Sequence, residues 1–301
     1  MSATLRLIQA ITPLQKCNAD FLTEHRVELW VKRDELNHPL IQGNKWHKLK
    51  LNLAAAQQQG FKQLLTFGGA YSNHIAAVAA AAQAYAFTSL GFIRGEELAS
   101  HYQAWSATLK TAAKRGMQFE FVDRATYRLR QDLAWLASLA ERFPEAYILP
   151  EGGSNALAIE GFESVIAELK TQVDFTHLLC AVGTGGTLAG LARYAKPDQK
   201  VWGIASLKNA EYLIPQITNW VGKDQDNWRL LTDFNGGGYG KTNNEIQQFA
   251  RDFEKRFDLK LDPIYTAKLV YGFHQLLISG AFEPGSRIVI YHSGGLQGRA
   301  D

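Results

Sequence analysis

Short apolar runs with strand character alternate along the chain with stretches whose apolar residues return every three or four positions. The runs fall at 29–31, 63–67, 88–93, 117–122, 147–149, 177–182, 201–204 and 287–291. The helical stretches fall at 49–59, 73–85, 97–115, 126–142, 155–171, 186–195, 208–221, 243–258 and 266–279. Alternation of this kind predicts an α/β fold of mainly parallel, twisted sheets flanked by helices. No repeat, low-complexity tract or long linker interrupts it, so a domain boundary must be a crossover between packed units. Crossovers near Lys45 and near Gly152-Gly153 predict a large domain of residues 1–44 plus 154–301 and a small domain of residues 45–153. Such sheets take ligands beyond the carboxyl ends of their strands, which makes the loops leaving strands for helices the ones to read.

Composition narrows the class. A chain of 301 residues with 46% hydrophobic and 20% charged side chains is expected to be globular, and long enough for two domains sharing a cleft. A formal charge of +3 with no basic run argues against a nucleic-acid partner. Cys17 and Cys180 match no zinc or disulfide spacing, so no metal is expected, and Cys180 reads as a packed thiol. Residues 75–93 are apolar but interrupted by Gln83, Tyr85 and Thr88, which fits a helix passing into a strand better than a membrane span. With no basic segment leading into an apolar one at the start, a cytoplasmic location is expected.

Four loops carry candidate chemistry. Gly43-Asn44-Lys45-Trp46-His47-Lys48 closes a polar loop and opens a helix, with Asn44 as the expected N-cap and Lys45 in the first turn. The amino end of a helix disfavours a cation, so a lysine there gives up its proton more readily and can attack an aldehyde; the competing reading is a solvated surface lysine. Thr66 to His74 leaves a strand through Gly68-Gly69 and enters a helix at Ser72, where free N–H groups can hold a carboxylate or simply be capped by the serine. Gly183-Thr184-Gly185-Gly186-Thr187 offers three glycines and two hydroxyls, a pattern suited to a phosphate, although it is neither a P-loop nor a dinucleotide fingerprint; the competing reading is a tight strand-to-helix turn with no ligand. His292-Ser293-Gly294-Gly295 ends the last strand with a hydroxyl beside flexible backbone. Tyr239 sits in a glycine-rich loop that could cover a cleft or equally be a surface loop with one anchored ring, and Tyr71 reads as a packed core tyrosine sooner than as a ring stacked near a ligand.

In this order, and together with Gly152-Gly153-Ser154-Asn155 and Asp262-Pro263-Ile264-Tyr265-Thr266, these pieces resemble the fold type II pyridoxal phosphate enzymes, the tryptophan synthase β family. Within it the chain resembles the branch of 1-aminocyclopropane-1-carboxylate deaminase and D-cysteine desulfhydrase. The resemblance implies pyridoxal 5'-phosphate as cofactor, in the cleft between the two domains, a small amino acid as substrate, and a homodimer. It makes Lys45 the lysine that binds the cofactor covalently, and Lys48 a holder of its phosphate together with Gly183, Thr184, Gly185, Gly186 and Thr187. Asn73 faces the ring's phenolic oxygen, Ser293 the pyridine nitrogen, Ser72 the substrate carboxylate and Tyr265 the reacting carbons. Lys45, Ser72 and Tyr265 are thus the expected catalytic residues.

The chain departs from the branch in ways that bear on substrate. The deaminases are expected to place a carboxylate at the pyridine nitrogen, where this chain has Ser293. A hydroxyl gives a weaker electron sink, which suits loss of a good leaving group from Cβ and points to desulfhydration of D-cysteine over ring opening. Ile75-Ala76-Ala77 stand where polar residues are usual, which raises a second expectation of a catalytically silent cofactor binder. A third reading, a nucleotide on the glycine loop, rests on that loop alone.

Overall fold

The computed structural model describes residues 11–296; the chain ends at 1–10 and 297–301, assigned above to the large domain, lie outside the described residues. In chain order the strands are β1 Leu14–Cys17, β2 Glu28–Lys32, β3 Gln63–Gly69, β4 Thr88–Arg94, β5 Gln118–Val122, β6 Ala146–Ile148, β7 His177–Val182, β8 Lys200–Ala205, β9 Trp228–Leu231 and β10 Arg287–Tyr291. The helices are α1 Asp20–Glu24, α2 Asn44–Gln58, α3 Asn73–Ala84, α4 Ala107–Lys114, α5 Arg124–Arg128, α6 Leu133–Arg142, α7 Ala156–Glu160, α8 Glu163–Gln172, α9 Gly186–Tyr194, α10 Ile214–Val221, α11 Asn244–Phe257 and α12 Thr266–Ile278.

Two sheets result. One has the order β1-β2-β10-β7-β8-β9 and is parallel except where β1 runs against β2; the other, β5-β4-β3-β6, is parallel throughout. A parallel strand covered on both faces needs apolar residues at every position, and in β7 all of His177 to Val182 are buried. Its side chains alternate between two cores. Leu179 and Ala181 join Phe253, Leu269 and Phe273 from α11 and α12, while Leu178, Cys180 and Val182 join Ile166, Leu188 and Ile217 from α8, α9 and α10. The smaller sheet repeats the arrangement: Leu64 and Ile93 pack with Leu49, Leu53 and Val78 of α2 and α3, and Leu65, Phe67 and Phe92 pack with Leu139 of α6.

Several expectations are corrected. The helices expected at 97–115 and 126–142 are broken, because Ser106 and Asp132 each cap a new helix by accepting a backbone N–H from Leu109 and Trp135 respectively, while Asp123, accepting from Ala125, starts the second stretch earlier than expected, at Arg124. The helix expected at 155–171 stops at Gly161, where an added Cβ would fall on the His47 carbonyl, so α2 lies directly against that turn. Edge strands β1 and β9, absent from the sequence reading, are only part-buried and lack a continuous apolar run. Tyr71 is 55% exposed rather than packed in a core. Asn44 is the first helical residue rather than the cap; Gly43, with φ at +62°, takes the cap position. Ser72 does occupy the N-cap position of α3, but its side chain makes no capping bond.

Candidate active site

Loops at the carboxyl ends of β3, β4, β6, β7, β8 and β10 line a cavity of about 1230 Å³, so both sheets contribute to one site. Of the residues picked from the sequence, Lys45, Lys48, Ser72, Asn73, Gly183, Thr184, Gly185, Thr187, Tyr265 and Ser293 border it, as does Tyr239. Gly186 stands behind the wall: a Cβ there would meet Ser154 Oγ at 2.5 Å and Lys48 Nζ at 3.2 Å.

The lysine loop is held from both sides. An added Cβ on Gly43 would fall on the Ser293 carbonyl, and the Asn44 N–H donates to that carbonyl at 3.2 Å, tying the start of α2 to the end of β10. From below, Gly43 N–H donates to Asn37 Oδ1 at 3.0 Å and to the Asp34 carbonyl at 3.1 Å, while Asn37 Nδ2 donates to the Gly43 carbonyl at 3.0 Å. Asp34 Oδ2 lies 2.9 Å from His47 Nε2, and Thr12 donates to Asp34 Oδ1 at 2.6 Å. Burial raises the Asp34 pKa, but the hydrogen bond and charge of His47 and the charge of Lys32 outweigh it and bring it down to about 2. In the sequence Asp34 and Asn37 belong only to the polar loop that Gly43 closes; the interlock joins side chains that only the fold brings together.

Lys45 then projects from the first turn of α2, its amine 3.1 Å from Asn44 Oδ1. Burial brings its pKa from 10.5 to about 8, against the charge of Asp262, which raises it. One turn on, Lys48 donates to the Gly152 carbonyl at 3.0 Å and to Ser154 Oγ at 2.9 Å. Burial, and then the charge of Lys45, hold its pKa well below the ordinary lysine value. Ser154 Oγ is 2.7 Å from Thr184 Oγ1, and Asn44 Nδ2 donates to Thr187 Oγ1 at 2.8 Å, so both hydroxyls of the glycine loop are oriented from across the site. Ser154, Asn44 and their partners all lie within motifs visible in the sequence, but only the fold pairs them.

On the opposite wall, Asn73 donates to Asp262 Oδ2 at 3.3 Å. Asp262 Oδ1 accepts the N–H groups of Ile264 at 3.0 Å and Tyr265 at 2.5 Å, which fixes the turn that presents Tyr265. Burial pushes the Tyr265 hydroxyl pKa well above its usual value, with the charges of Tyr239 and Asp262 adding to it, so it keeps its proton. The Tyr239 ring meets the Tyr265 ring edge-on at 6.4 Å, and its loop is anchored by Lys268, which donates to the carbonyls of Gly238 at 2.8 Å and Ser206 at 3.1 Å. Behind Ser72-Asn73, Thr66 Oγ1 lies 2.8 Å from His74 Nε2; burial, then the charges of Lys45 and Lys48, keep that imidazole neutral.

These residues fit pyridoxal phosphate. The stretch 183–187 has three backbone positions without side chains at the amino end of α9, beside two hydroxyls, where a phosphate can approach N–H groups. Burial lowers the proton affinity of both Lys45 and Lys48, and the charge of Lys45 lowers that of Lys48 further, so an anion beside the two amines relieves both. Among the described residues no cluster of His, Cys, Asp or Glu could hold a metal, and no helix is long and apolar enough to cross a membrane.

Comparison with known proteins agrees with this geometry. A protein of Pyrococcus horikoshii, described provisionally as a 1-aminocyclopropane-1-carboxylate deaminase, is 29% identical over 98% of this chain and 92% of its own length. A mitochondrial bifunctional D-cysteine desulfhydrase/1-aminocyclopropane-1-carboxylate deaminase of Arabidopsis thaliana is 26% identical over 100% of this chain and 80% of its own. The crystal structure of an ACC deaminase homologue superposes with a TM-score of 0.82 at 27% identity, covering 97% of this chain and 92% of that one. The model of the family "Pyridoxal-phosphate dependent enzyme" matches residues 5–294, nearly the whole length, and the chain therefore belongs to that family of cofactor-dependent enzymes.

Proposed function

We propose that the protein is a lyase that eliminates the β-substituent of a small amino acid, in the manner of a D-cysteine desulfhydrase, giving pyruvate, ammonia and sulfide. In this reading residues 1–44 with 154–301 form the cofactor-bearing domain and residues 45–153 the smaller one. Lys45 binds the cofactor carbonyl; Lys48 and the stretch Gly183, Thr184, Gly185, Gly186 and Thr187 take the phosphate; Asn73 faces the phenolic oxygen and Ser293 the pyridine nitrogen. Bound there, pyridoxal phosphate supplies an electron sink for the carbanion at the substrate Cα.

The remaining work falls to the chain's own groups. Ser72 and the N–H groups opening α3 orient the substrate carboxylate. The Lys45 amine, whose pKa of about 8 leaves part of it neutral near neutral pH, takes the Cα proton. Tyr265, which retains its proton, gives it to the departing sulfur. The observation that carries the choice of elimination is the hydroxyl of Ser293 at a site whose carboxylates Glu151 and Asp262 are both engaged elsewhere, Glu151 by Tyr127 at 2.6 Å and Arg130 at 2.6 Å, and Asp262 by Asn73 at 3.3 Å and the N–H groups of Ile264 and Tyr265. With both so engaged, the group assigned to the pyridine nitrogen is the Ser293 hydroxyl rather than a carboxylate. The name of the Arabidopsis thaliana relative, which joins both activities, supports the same pair of substrates.

The test is to supply D-cysteine and 1-aminocyclopropane-1-carboxylate separately to the holoenzyme. Sulfide and pyruvate formed together from D-cysteine support the reading. Ammonia from the cyclopropane substrate alone would transfer the assignment to ring opening.

A further inference from the structure

The cavity wall is strongly cationic. Eight of its lining side chains are Lys or Arg and one is a carboxylate. Lys45 and Lys48 belong to the cofactor side of the site, and Arg130 is paired with Glu151. Arg94, Arg124, Arg128, Lys208 and Lys241 have no ion-pair partner among the described residues. Surface cations are ordinarily solvated, but five facing one concave space concentrate a field that draws in anions.

Arg94 stands out because its place is fixed by the sheet. It is the last residue of the central strand β4, in register with Gly69 of β3 and Val122 of β5. Its guanidinium lies 5.8 Å from the centre of the Tyr127 ring, a ring whose hydroxyl is committed to Glu151. A Cβ added at Gly69 would be 3.8 Å from Arg94 Nη2 and 3.8 Å from Tyr239 Cε1, so the bare backbone of Gly69 is the floor on which these two side chains converge. Gly69 accepts the Ser72 N–H at 3.0 Å, which puts Arg94 beside the segment that receives the substrate carboxylate. The phosphate loop lies on the other wall, at the end of β7. A fork-shaped donor with five N–H groups and no carboxylate of its own calls for a planar anion.

We infer that the preferred substrate carries a second carboxylate on its β-substituent, and that Arg94 is the specificity-determining residue that receives it. This rests on the elimination reading above and names the leaving group. For an S-linked substituent, the Cα proton leaves, the Cβ–S bond breaks with its electron pair going to sulfur, and the thiolate takes up a proton to leave as a thiol acid. The remaining three-carbon unit takes up water and ends as pyruvate and ammonia. D-cysteine is then the truncated member of the class.

The experiment compares S-carboxymethyl-cysteine with its neutral amide counterpart, S-carbamoylmethyl-cysteine, each as both enantiomers, on the holoenzyme. Two readouts are taken: the concentration at which each perturbs the visible absorbance band, and KM and kcat for release of pyruvate. The acid is expected to bind at least about tenfold more tightly than the amide, with the difference in KM rather than kcat, and to lose most of that advantage in added salt. Arg94→Gln is expected to erase the acid-over-amide preference and Arg94→Lys to restore part of it, both with an unchanged band in the absence of substrate. Equal binding of acid and amide, or a Gln variant that weakens both alike, overturns the inference, the latter because Arg94 then serves the α-carboxylate. If the acid shifts the band preferentially in an Arg94-dependent way but no pyruvate appears, the Arg94 assignment stands and the elimination reading falls. If both compounds release pyruvate equally, the reverse holds.

Discussion

Lys45 gives the sharpest physical prediction, because its chemistry depends on one proton. With the ordinary lysine pKa of 10.5, about one amine in a thousand is neutral at pH 7.5; at a pKa of about 8 roughly a quarter is, a gain of about 240-fold in the nucleophilic form. The cause is burial at the start of α2, partly offset by the carboxylate of Asp262. Replacing that carboxylate, Asp262→Asn, removes the group that raises the pKa, so the midpoint must move further toward acid. The assay is pulsed acylation of cofactor-free protein from about pH 6 to about pH 10, with modification at Lys45 read by peptide mass spectrometry and exposed Lys223 as control for reagent decay. A midpoint near 8 in the parent and a lower one in the variant are expected. A midpoint near 10, or one unmoved by Asp262→Asn, refutes the reasoning.

Gly43→Ala sets a side chain against the Ser293 carbonyl at a φ of +62°, and is expected to cost at least ~3 kcal/mol of stability in denaturant melts; a cost below about 1 kcal/mol would mean that the junction of α2 and β10 adjusts freely. Asn37→Ala removes the donor and acceptor that hold Gly43, and should cost ~2–4 kcal/mol by the same measurement, with cofactor affinity falling as the lysine loop loosens; unchanged stability would show the interlock to be idle. Asp34, with a folded pKa of about 2 against 3.8 in an unfolded chain, contributes stability that is complete above about pH 4 and is lost as pH falls through about 2. Denaturant midpoints of the parent should therefore fall across that window while those of Asp34→Asn stay flatter, and parallel curves for the two would contradict the assignment.

Much of the fold is legible in the hydrophobic pattern because strands buried on both faces announce themselves. β7 and β10 are such strands, and their bounds match the apolar runs. β1 and β9 sit at sheet edges with one side open and lack that signal. The breaks in the helices expected at 97–115 and 126–142 depended on Ser106 and Asp132, which cap real helices but look like ordinary polar positions in an apolar periodicity. The candidate site shows the same division. Lys45, Asn73, the glycine loop and Ser293 lie in motifs whose residue types already suggest their chemistry, and the fold gathers them around one cavity. The Asp34–His47–Asn37 interlock joins residues up to 13 positions apart through side chains alone, and no local pattern encodes it. Arg94 is hidden for a related reason: at the end of an apolar run it reads as a solvated terminus, and only its register with Gly69 places it over the site.

The measurement closest to the central claim is to reduce the purified, pyridoxal phosphate-loaded protein with borohydride and map the modified lysine by mass spectrometry, with Lys45→Ala alongside. The account predicts a visible-range band that disappears on reduction, the cofactor mass on the peptide containing Lys45, and no such band in the variant. The cofactor on any other lysine, or a band of undiminished strength in Lys45→Ala, would contradict it.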